Sequence, residues 1–495
     1  MVYIASIDQG TTSTRCVIVD HGGAIVASSQ VEHTQHHPRP GWVEHDAAEI
    51  WSNTEAVISG ALADGGFTRA DIKAIGITNQ RETTVLWDKS TGEPVARAIV
   101  WQDTRTAGIC AALAEHADMF KTVTGLPPAT YFSGPKIQWL LDNTPGLRVR
   151  AEAGEIAFGT MDCWLLFKLT GRHVTDVTNA SRTMLASLET GNWDAALCSL
   201  LDVPMSMLPE VVPSVGIVAD ARGDLEGVPV AGILGDQQAA LFGHGGLGQG
   251  DAKNTYGTGC FLLVSTGLRP VRSHAGLLTT VAYQIGDGKL HYALEGSVAV
   301  AGSAVQWMRD NLKMIESASE IESLANEVED NGGVYFVPAF SGLFAPRWRP
   351  DARGVIAGLT HYATRAHFAR AVLEATAFQT ADVLDAVEQD TGTKMTELRV
   401  DGGMAANNLL MQFQADLLGI PVIVPASLET TAMGAAFAAG LAVGFWANPD
   451  EIRGLSVEAK RFTENISASR RAELRQGWEK AIARSLSWVD DLADS

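Results

Sequence analysis

Two short stretches combine anion-binding turn chemistry with flanking apolar runs. IASIDQGTTSTRCVIVD, Ile4 to Asp20, sets Asp8, Gly10, Thr11, Thr12 and Ser13 between such runs, and NTYGTGCFLLV, Asn254 to Val264, repeats the turn without the acid. Backbone N–H groups and short hydroxyl side chains held between strands suit a phosphate. Gly, Thr and Ser also fill ordinary hairpin turns. Asp8, at the end of a buried-looking strand, favours the anion site, because a carboxylate there can hold Mg²⁺ beside phosphates, directly or through water. Two such turns in one chain suggest a phosphate clamped between two halves.

Three further ionisable residues stand at strand ends. Asp236 closes the apolar run VPVAGILGD, so its carboxylate would emerge where α/β folds bind ligands. The same Gly-Asp before QQAALFG is also a good helix start. Arg81 and Glu82 lie just beyond the run Ile72–Ile77. A donor fork beside a carboxylate can grip adjacent hydroxyls, or the two can be a surface ion pair. His36–His37 is the only adjacent pair among twelve histidines and reads as solvated loop, not as a metal site. Trp139 and Trp307 read as core.

The elements that must position these residues follow from periodicity. Tyr3–Ile7, Cys16–Val19 and Ala24–Ser28 read as strands joined by glycine-containing turns. A helix comes next, with Asp46 and Glu49 as a capping box, Ile50, Thr54, Val57, Ile58, Ala61 and Leu62 on one face, and Gly65–Gly66 as its end. Ile72–Ile77 is the next strand. The second half repeats the style, with strands near Lys253–Tyr256, Phe261–Ser265 and Leu290–Leu294 and a helix from about Ser297 to Leu312. Gly243–Gly250 reads as a linker between the halves. It contains G-x-G-x-x-G, but the preceding Asp236–Phe242 looks helical, which excludes the dinucleotide fingerprint. Domains of 1–250 and 251–495 are the resulting expectation.

Composition narrows the classes. A chain of 495 residues is too long for one core, and 46% apolar with 19% charged residues is ordinary folded protein. A formal net charge of −20 repels polyanions and argues against nucleic acid as a partner. The five scattered cysteines form no C-x-x-C pair and fit a reducing, cytoplasmic setting. No basic segment followed by an apolar run marks a secretory signal. The uncharged stretch Thr430–Pro449 is rich in Ala and Gly and reads as a tightly packed internal helix, so no integral membrane segment is expected.

The two turns, with VDGGMAANNLLMQ (Val400–Gln412), resemble the actin-like ATPase fold and, within it, the FGGY carbohydrate kinases. TNQRETT (Thr78–Thr84), WQDTRT (Trp101–Thr106), YFSGPKIQWLLDN (Tyr131–Asn143), GDQQAALFG (Gly235–Gly243) and NTYGTGCF (Asn254–Phe261) are similar to segments of the members that act on glycerol. The resemblance runs from Tyr3 to about Trp446. It implies an α/β fold of two actin-like, ribonuclease H-like domains, each a mixed sheet flanked by helices, with the active site in the cleft between them. It also implies ATP-dependent phosphorylation of glycerol to sn-glycerol 3-phosphate, with ATP and Mg²⁺.

Site residues are implied position by position. Asp236 matches the general base, and Arg81, Glu82, Tyr131, Asp236 and Gln237 match the polyol ligands, with Trp101 and Phe261 as an apolar wall. Thr11, Thr12, Ser13 and Arg15 fall in the first phosphate loop and Thr258 with Gly259 in the second. Gly302 and Gln306 fall near a helix start, whose N–H groups favour anions, and Gly403 with Asn407 borders the adenosine. Asp8 and Asp236 are the metal candidates. Family members form homodimers or homotetramers, and no interface is legible in the chain.

The chain departs from the family pattern at GLFAPRW (Gly342–Trp348), where Phe344 and Arg347 stand near the expected domain interface. ADARGDLEG, before Val228, lacks the Gly-Arg pattern and the histidine through which some relatives are regulated, so neither control is expected. Two alternatives stay open: a family kinase for another polyol or a pentulose, against which the Q-R-E signature at Gln80–Glu82 argues, and a non-metabolic actin-like ATPase.

Overall fold

The computed structural model describes residues 2–489. In the N-terminal half β1 (Tyr3–Gln9), β2 (Ser13–Val19) and β3 (Ile25–Glu32) form an antiparallel meander, α1 (Ala47–Gly65) comes next, and β4 (Ile72–Asn79) returns parallel to β1. After them come α2 (Ser133–Asn143), α3 (Met161–Thr170), β5 (Val215–Asp220), β6 (Pro229–Gly235) and α4 (Asp236–Gly243). The sheet runs β5-β6-β4-β1-β2-β3, with β6 parallel to β4.

The C-terminal half repeats this plan. β7 (Ala252–Tyr256), β8 (Cys260–Gly267), β9 (Leu278–Tyr283) and β10 (His291–Val298) precede α5 (Gly302–Asp310) and α6 (Arg365–Thr391). Then come β11 (Leu398–Asp401), α7 (Asn408–Leu418), β12 (Val422–Pro425), α8 (Thr430–Ala442), β13 (Glu458–Phe462) and α9 (Ala468–Ser485). The order is β9-β10-β8-β7-β11-β12-β13. Antiparallel β3-β2-β1 and β10-β8-β7 are each continued by two parallel strands, β4-β6 and β11-β12. The fold is therefore duplicated, and each of the two anion-type turns joins the first strand of its half to the second.

Strand alternation decides what faces where. In β1 and β2, Ala5, Ile7, Cys16 and Ile18 pack with α1 and α3, whereas Ile4, Val17 and Val19 pack toward α4 and α8. Asp8 shares the second face with Ile4 and Ser6, whose hydroxyl donates to Ala432 O at 2.7 Å. That face looks toward the other half. In β8, Leu262 and Val264 join the C-terminal core and Leu263 turns toward the N-terminal half, so Phe261 turns that way too.

α4 and α8 lie between the sheets, and their composition follows from how closely they pack. A Cβ on Gly434 would run into Ala239 O, one on Gly243 into Thr430 O, and one on Gly76 of β4 into Ala435 O. Only glycine permits such backbone approach. The uncharged stretch from Thr430 thus forms a buried helix, as its composition suggested.

Local expectations needed correction at several places. The helix expected from Ser297 starts at Gly302, because Ser297 and Val298 are still paired with Phe261 and Cys260. Asp46 caps the N–H groups of Ala48 and Glu49, but the Glu49 carboxylate accepts from Thr34 N and Oγ1, both at 3.0 Å, so the reciprocal half of the box does not form. The expected linker is no slack tether: Gly243 is the last residue of α4, and it and the following His244 to Gly246 are buried. Strand β9 was not anticipated from local composition. Trp139 and Trp307 are half-buried, Trp139 edge-on to Trp42 and Trp307 stacked on Phe336. Arg347 meets Asp382 at 3.0 Å and Glu479 at 2.5 Å, all within the C-terminal half and not across the cleft.

Candidate active site

Register brings the catalytic candidates together. Gln9 of β1 and Gly235 of β6 both lie opposite Asn79 of β4, so three parallel strands end side by side. Directly beyond these ends lie the Gly10–Thr12 turn, the Gln80–Glu82 segment and Asp236. Asp236 is not the N-cap that Gly-Asp before QQAALFG suggested: Gly235 takes that place, Asp236 is the first residue of α4, and its side chain stays 30% exposed. Its Oδ1 accepts the Gln237 N–H at 2.7 Å and lies 3.1 Å from Arg81 Nε. Burial pushes its proton affinity up, against Arg81 and Lys253. A carboxylate with raised proton affinity beside a cleft is a fit proton acceptor.

Arg81 and Glu82 are not a surface pair. Both are buried in a network that crosses the cleft. Arg81 Nη1 donates to Glu295 Oε2 at 2.5 Å and to Gln238 at 3.2 Å, and Nη2 donates to Glu295 Oε1 at 3.0 Å and to Tyr131 OH at 3.4 Å. Arg182 donates to Glu82 at 2.6 Å and to Glu295 at 3.1 Å. Burial alone would push the Glu295 carboxyl up, but Arg182 and Arg81 outweigh it and hold it at about 2. Glu82 adopts φ +63°, a left-handed backbone that costs a non-glycine residue about 1 kcal/mol.

Arg182, Glu295 and Lys253 escaped the sequence reading. A lone acid in the apolar strand HYALEGSV was the signal for Glu295. Lys253 donates to Gln237 Oε1, to Thr255 Oγ1 at 2.9 Å and to Phe261 O at 3.2 Å, so it ties Gln237 to the aromatic wall. Burial pulls its pKa down to about 8.

Trp101, Tyr131 and Phe261 do form one wall. Trp101 stands edge-on to Tyr131 with ring centroids 5.6 Å apart and to Phe261 at 6.1 Å, the last contributed by the other half. Such aromatic faces suit the carbon side of a small polyol.

On the phosphate side, Thr12 is exposed and Thr11 and Ser13 half-exposed at the first turn. Arg15 is engaged by Glu429 at the start of α8 and by Gln30 at 2.7 Å. At the second turn Thr258 is exposed and Gly259 buried, where a Cβ would meet Val298 O. Gly302 plays a different part from the one expected. Its N–H is taken by Gly257 O at 3.0 Å, and Thr258 O accepts from Ala301 N and Ser303 N at 3.0 and 3.1 Å. The start of α5 therefore holds the second turn by its carbonyls instead of offering its own N–H groups to an anion. Gln306 is exposed one turn on. Gly403 is open, and Asn407 caps α7 by accepting the Leu410 N–H at 2.9 Å, which leaves its amide N–H groups free of that bond.

Among the described residues no group of three or more His, Cys, Asp or Glu has the spacing to hold a metal. Asp8 and Asp236 are a pair of carboxylates. Burial pushes Asp8 up to about 6, Arg15 opposes this and Asp236 adds to it. Two mutually repelling acids with few ligands fit a cation that arrives with phosphates, as Mg²⁺ does.

Comparison with known proteins gives the same picture. Residues 3–243 match the N-terminal domain of the FGGY family of carbohydrate kinases and 252–443 its C-terminal domain. The chain is 59% identical over 495 residues to a glycerol kinase of Chloroflexus aurantiacus, covering 99% of each. It is 58% identical over 501 residues to glycerol kinase 1 of Streptomyces avermitilis, covering 99% of this chain and 98% of the relative. The crystal structure of Plasmodium falciparum glycerol kinase with ADP superposes with a TM-score of 0.92 at 40% identity, covering 98% of both. A gluconate kinase from Lactobacillus acidophilus shares the fold at 22% identity, TM-score 0.86, over 97% of both.

Proposed function

The chain belongs to the FGGY family of carbohydrate kinases, and on that premise we propose that it transfers the γ-phosphoryl group of ATP to glycerol, giving sn-glycerol 3-phosphate and ADP. One observation carries the reading: the Asp236 carboxylate opens to the cleft 3.1 Å from Arg81, beside an aromatic wall assembled from both halves.

Glycerol lies with its carbons on Trp101, Tyr131 and Phe261 and its hydroxyls toward Arg81, Glu82 and Gln237. Asp236 takes the proton of the terminal hydroxyl. The oxygen then bonds to the γ-phosphorus as the bond to the β,γ-bridging oxygen breaks, and ADP carries away the electron pair. The turns at Thr11–Ser13 and Thr258–Gly259 cradle the phosphates from opposite sides, with Arg15 at the edge. Gly302, Gln306, Gly403 and Asn407 flank the nucleoside. Mg²⁺ bound with the nucleotide would be held by Asp8 and Asp236 and would neutralise phosphate charge. Closure of the two halves excludes water, the competing acceptor. The free thiols Cys16, Cys110, Cys163, Cys198 and Cys260 support a cytoplasmic setting, and among the described residues no helix is long and apolar enough to cross a membrane.

A coupled assay of ADP release, run with and without glycerol, tests the reading. ADP release is expected to depend on glycerol. Equal release without it, or a higher kcat/KM for xylulose or gluconate, overturns the assignment.

A further inference from the structure

The first phosphate turn is held from behind by a closed circuit of hydrogen bonds that also reaches the polyol wall. Trp101 spends both of its N–H groups there: Nε1 donates to Thr11 Oγ1 at 3.0 Å, and the backbone N donates to Thr83 Oγ1 at 3.3 Å. Thr83 Oγ1 donates to Gln80 Oε1 at 3.0 Å. Gln80 Nε2 then donates to Gln9 Oε1 at 3.0 Å and to Gly10 O at 3.2 Å, and Gln80 N donates to Gln9 O at 2.7 Å. Gly10 precedes Thr11, so the circuit closes. Gln9, Gln80 and Thr83 are at most 1% exposed.

A second arm supports the same turn. Gln80 Nε2 also meets His45 Nδ1 at 3.3 Å, His45 Nε2 meets Gln35 Oε1 at 2.8 Å, and Gln35 Nε2 donates to Thr11 O at 2.8 Å. Gln35 Oε1 fixes the tautomer because it can only accept: Nε2 carries the proton, and the bare Nδ1 shares one of the two Gln80 amide hydrogens. Burial, then the neighbouring histidines, pull the His45 pKa down to about 3, so the imidazole is a neutral relay. With His33 N on Thr12 O at 3.1 Å, the carbonyls of Gly10, Thr11 and Thr12 are all taken from the protein side. Among the described residues no protein acceptor takes the N–H of Thr11 or Thr12.

Resting on the proposed reaction, we infer that Gln80 is a positioning residue that couples the polyol wall to the first phosphate turn through Thr83, Trp101 and Thr11. The geometry sets a direction for the effect. Trp101 faces the polyol, yet its indole N–H bears on the nucleotide side. Removing that bond while keeping an aromatic ring loosens the phosphate turn.

The test uses the full chain and the variants Trp101→Phe, Gln80→Met and the double variant. KM for ATP and for glycerol, ADP affinity by titration calorimetry, and the thermal midpoint are read for each. Trp101→Phe is expected to weaken ADP binding and raise KM for ATP about fivefold, the loss of one hydrogen bond of about 1 kcal/mol. Gln80→Met is expected to do the same, and the double variant no more than the larger single, because both cut one circuit. ADP affinity unchanged in Trp101→Phe, or single effects that multiply in the double variant, overturns the coupling. Calorimetry with ADP reads the circuit without turnover, so a wild-type protein that ignores glycerol counts against the reaction and leaves this test standing. Should Gln80→Met fail to fold, Thr83→Val, which removes the hydroxyl linking Gln80 to Trp101, takes its place in the same double-variant comparison.

Discussion

At the residue scale the site depends on charges that hold one another. Asp236 is the proposed base and lies 3.1 Å from Arg81, so Asp236→Asn is expected to lower kcat by at least about a hundredfold while glycerol still binds in calorimetry. Glu295 is the cross-cleft partner of two buried guanidinium groups. Glu295→Gln leaves both short of a counter-charge and is expected to cost about 3 to 5 kcal/mol in urea unfolding, with a weaker glycerol KM. Part of this was legible in the chain. Arg81, Glu82 and Asp236 each follow an apolar strand-like run, and their place at neighbouring strand ends could be anticipated. Glu295 and Arg182 could not, because their meaning lies in partners a hundred or more positions away.

At the element scale, the α4 and α8 crossing and the α3 layer make separable predictions. Gly434→Ala drives a methyl group into the Ala239 carbonyl and is expected to destabilise by more than about 2 kcal/mol, whereas Gly108→Ala, which meets nothing within 4 Å, is expected to be neutral or mildly stabilising by thermal scanning. Asp162 of α3 is fully buried and accepts from the hydroxyls of Thr160 at 2.5 Å and Thr175 at 2.6 Å. Burial, with Asp176, pushes its pKa up to about 7. The folded state thus binds more protons than the unfolded chain between the ordinary carboxylate range and about 7, so this acid's contribution to stability falls as pH rises through that window. Asp162→Asn is expected to leave stability at pH 4 nearly unchanged and to raise it at pH 8, on the order of 3 kcal/mol, in parallel urea titrations. Element types were largely legible: the α1 face and the strands of both turns follow from periodicity. Element ends were not, because Ser297 and Val298 are kept in strand by pairing with β8, which propensity does not report.

For the whole molecule, the apolar layer between the sheets joins Ile4, Val17 and Ala231 of the first half to Ala432, Phe437 and Trp446 of the second. A division at 250/251 would leave one sheet in each fragment, but it would also strip α8 from the N-terminal sheet. Residues 1–250 expressed alone are expected to be protease-sensitive and aggregation-prone, and co-expression with 251–495 to restore a limited-proteolysis pattern like that of the full chain. Fragment 1–250 resisting proteolysis alone would show that the shared layer is dispensable. The chain's net charge of −20 disfavours polyanions at long range, so any phosphate has to be held by local groups.

By itself the sequence determined the type of most elements, the two matched turns, the family and the ionisable residues that stand at strand ends. Local periodicity and turn composition are written in neighbouring residues, and those rules act over a few positions. Only the tertiary structure decided that Gly302 holds the second turn, that Glu295 crosses the cleft to Arg81, and that Trp101, set beside Tyr131 and Phe261, donates to Thr11 of the first turn. Such contacts join distant segments through strand register and helix packing, and the energy of a buried hydrogen bond or ion pair depends on both partners being brought to one place.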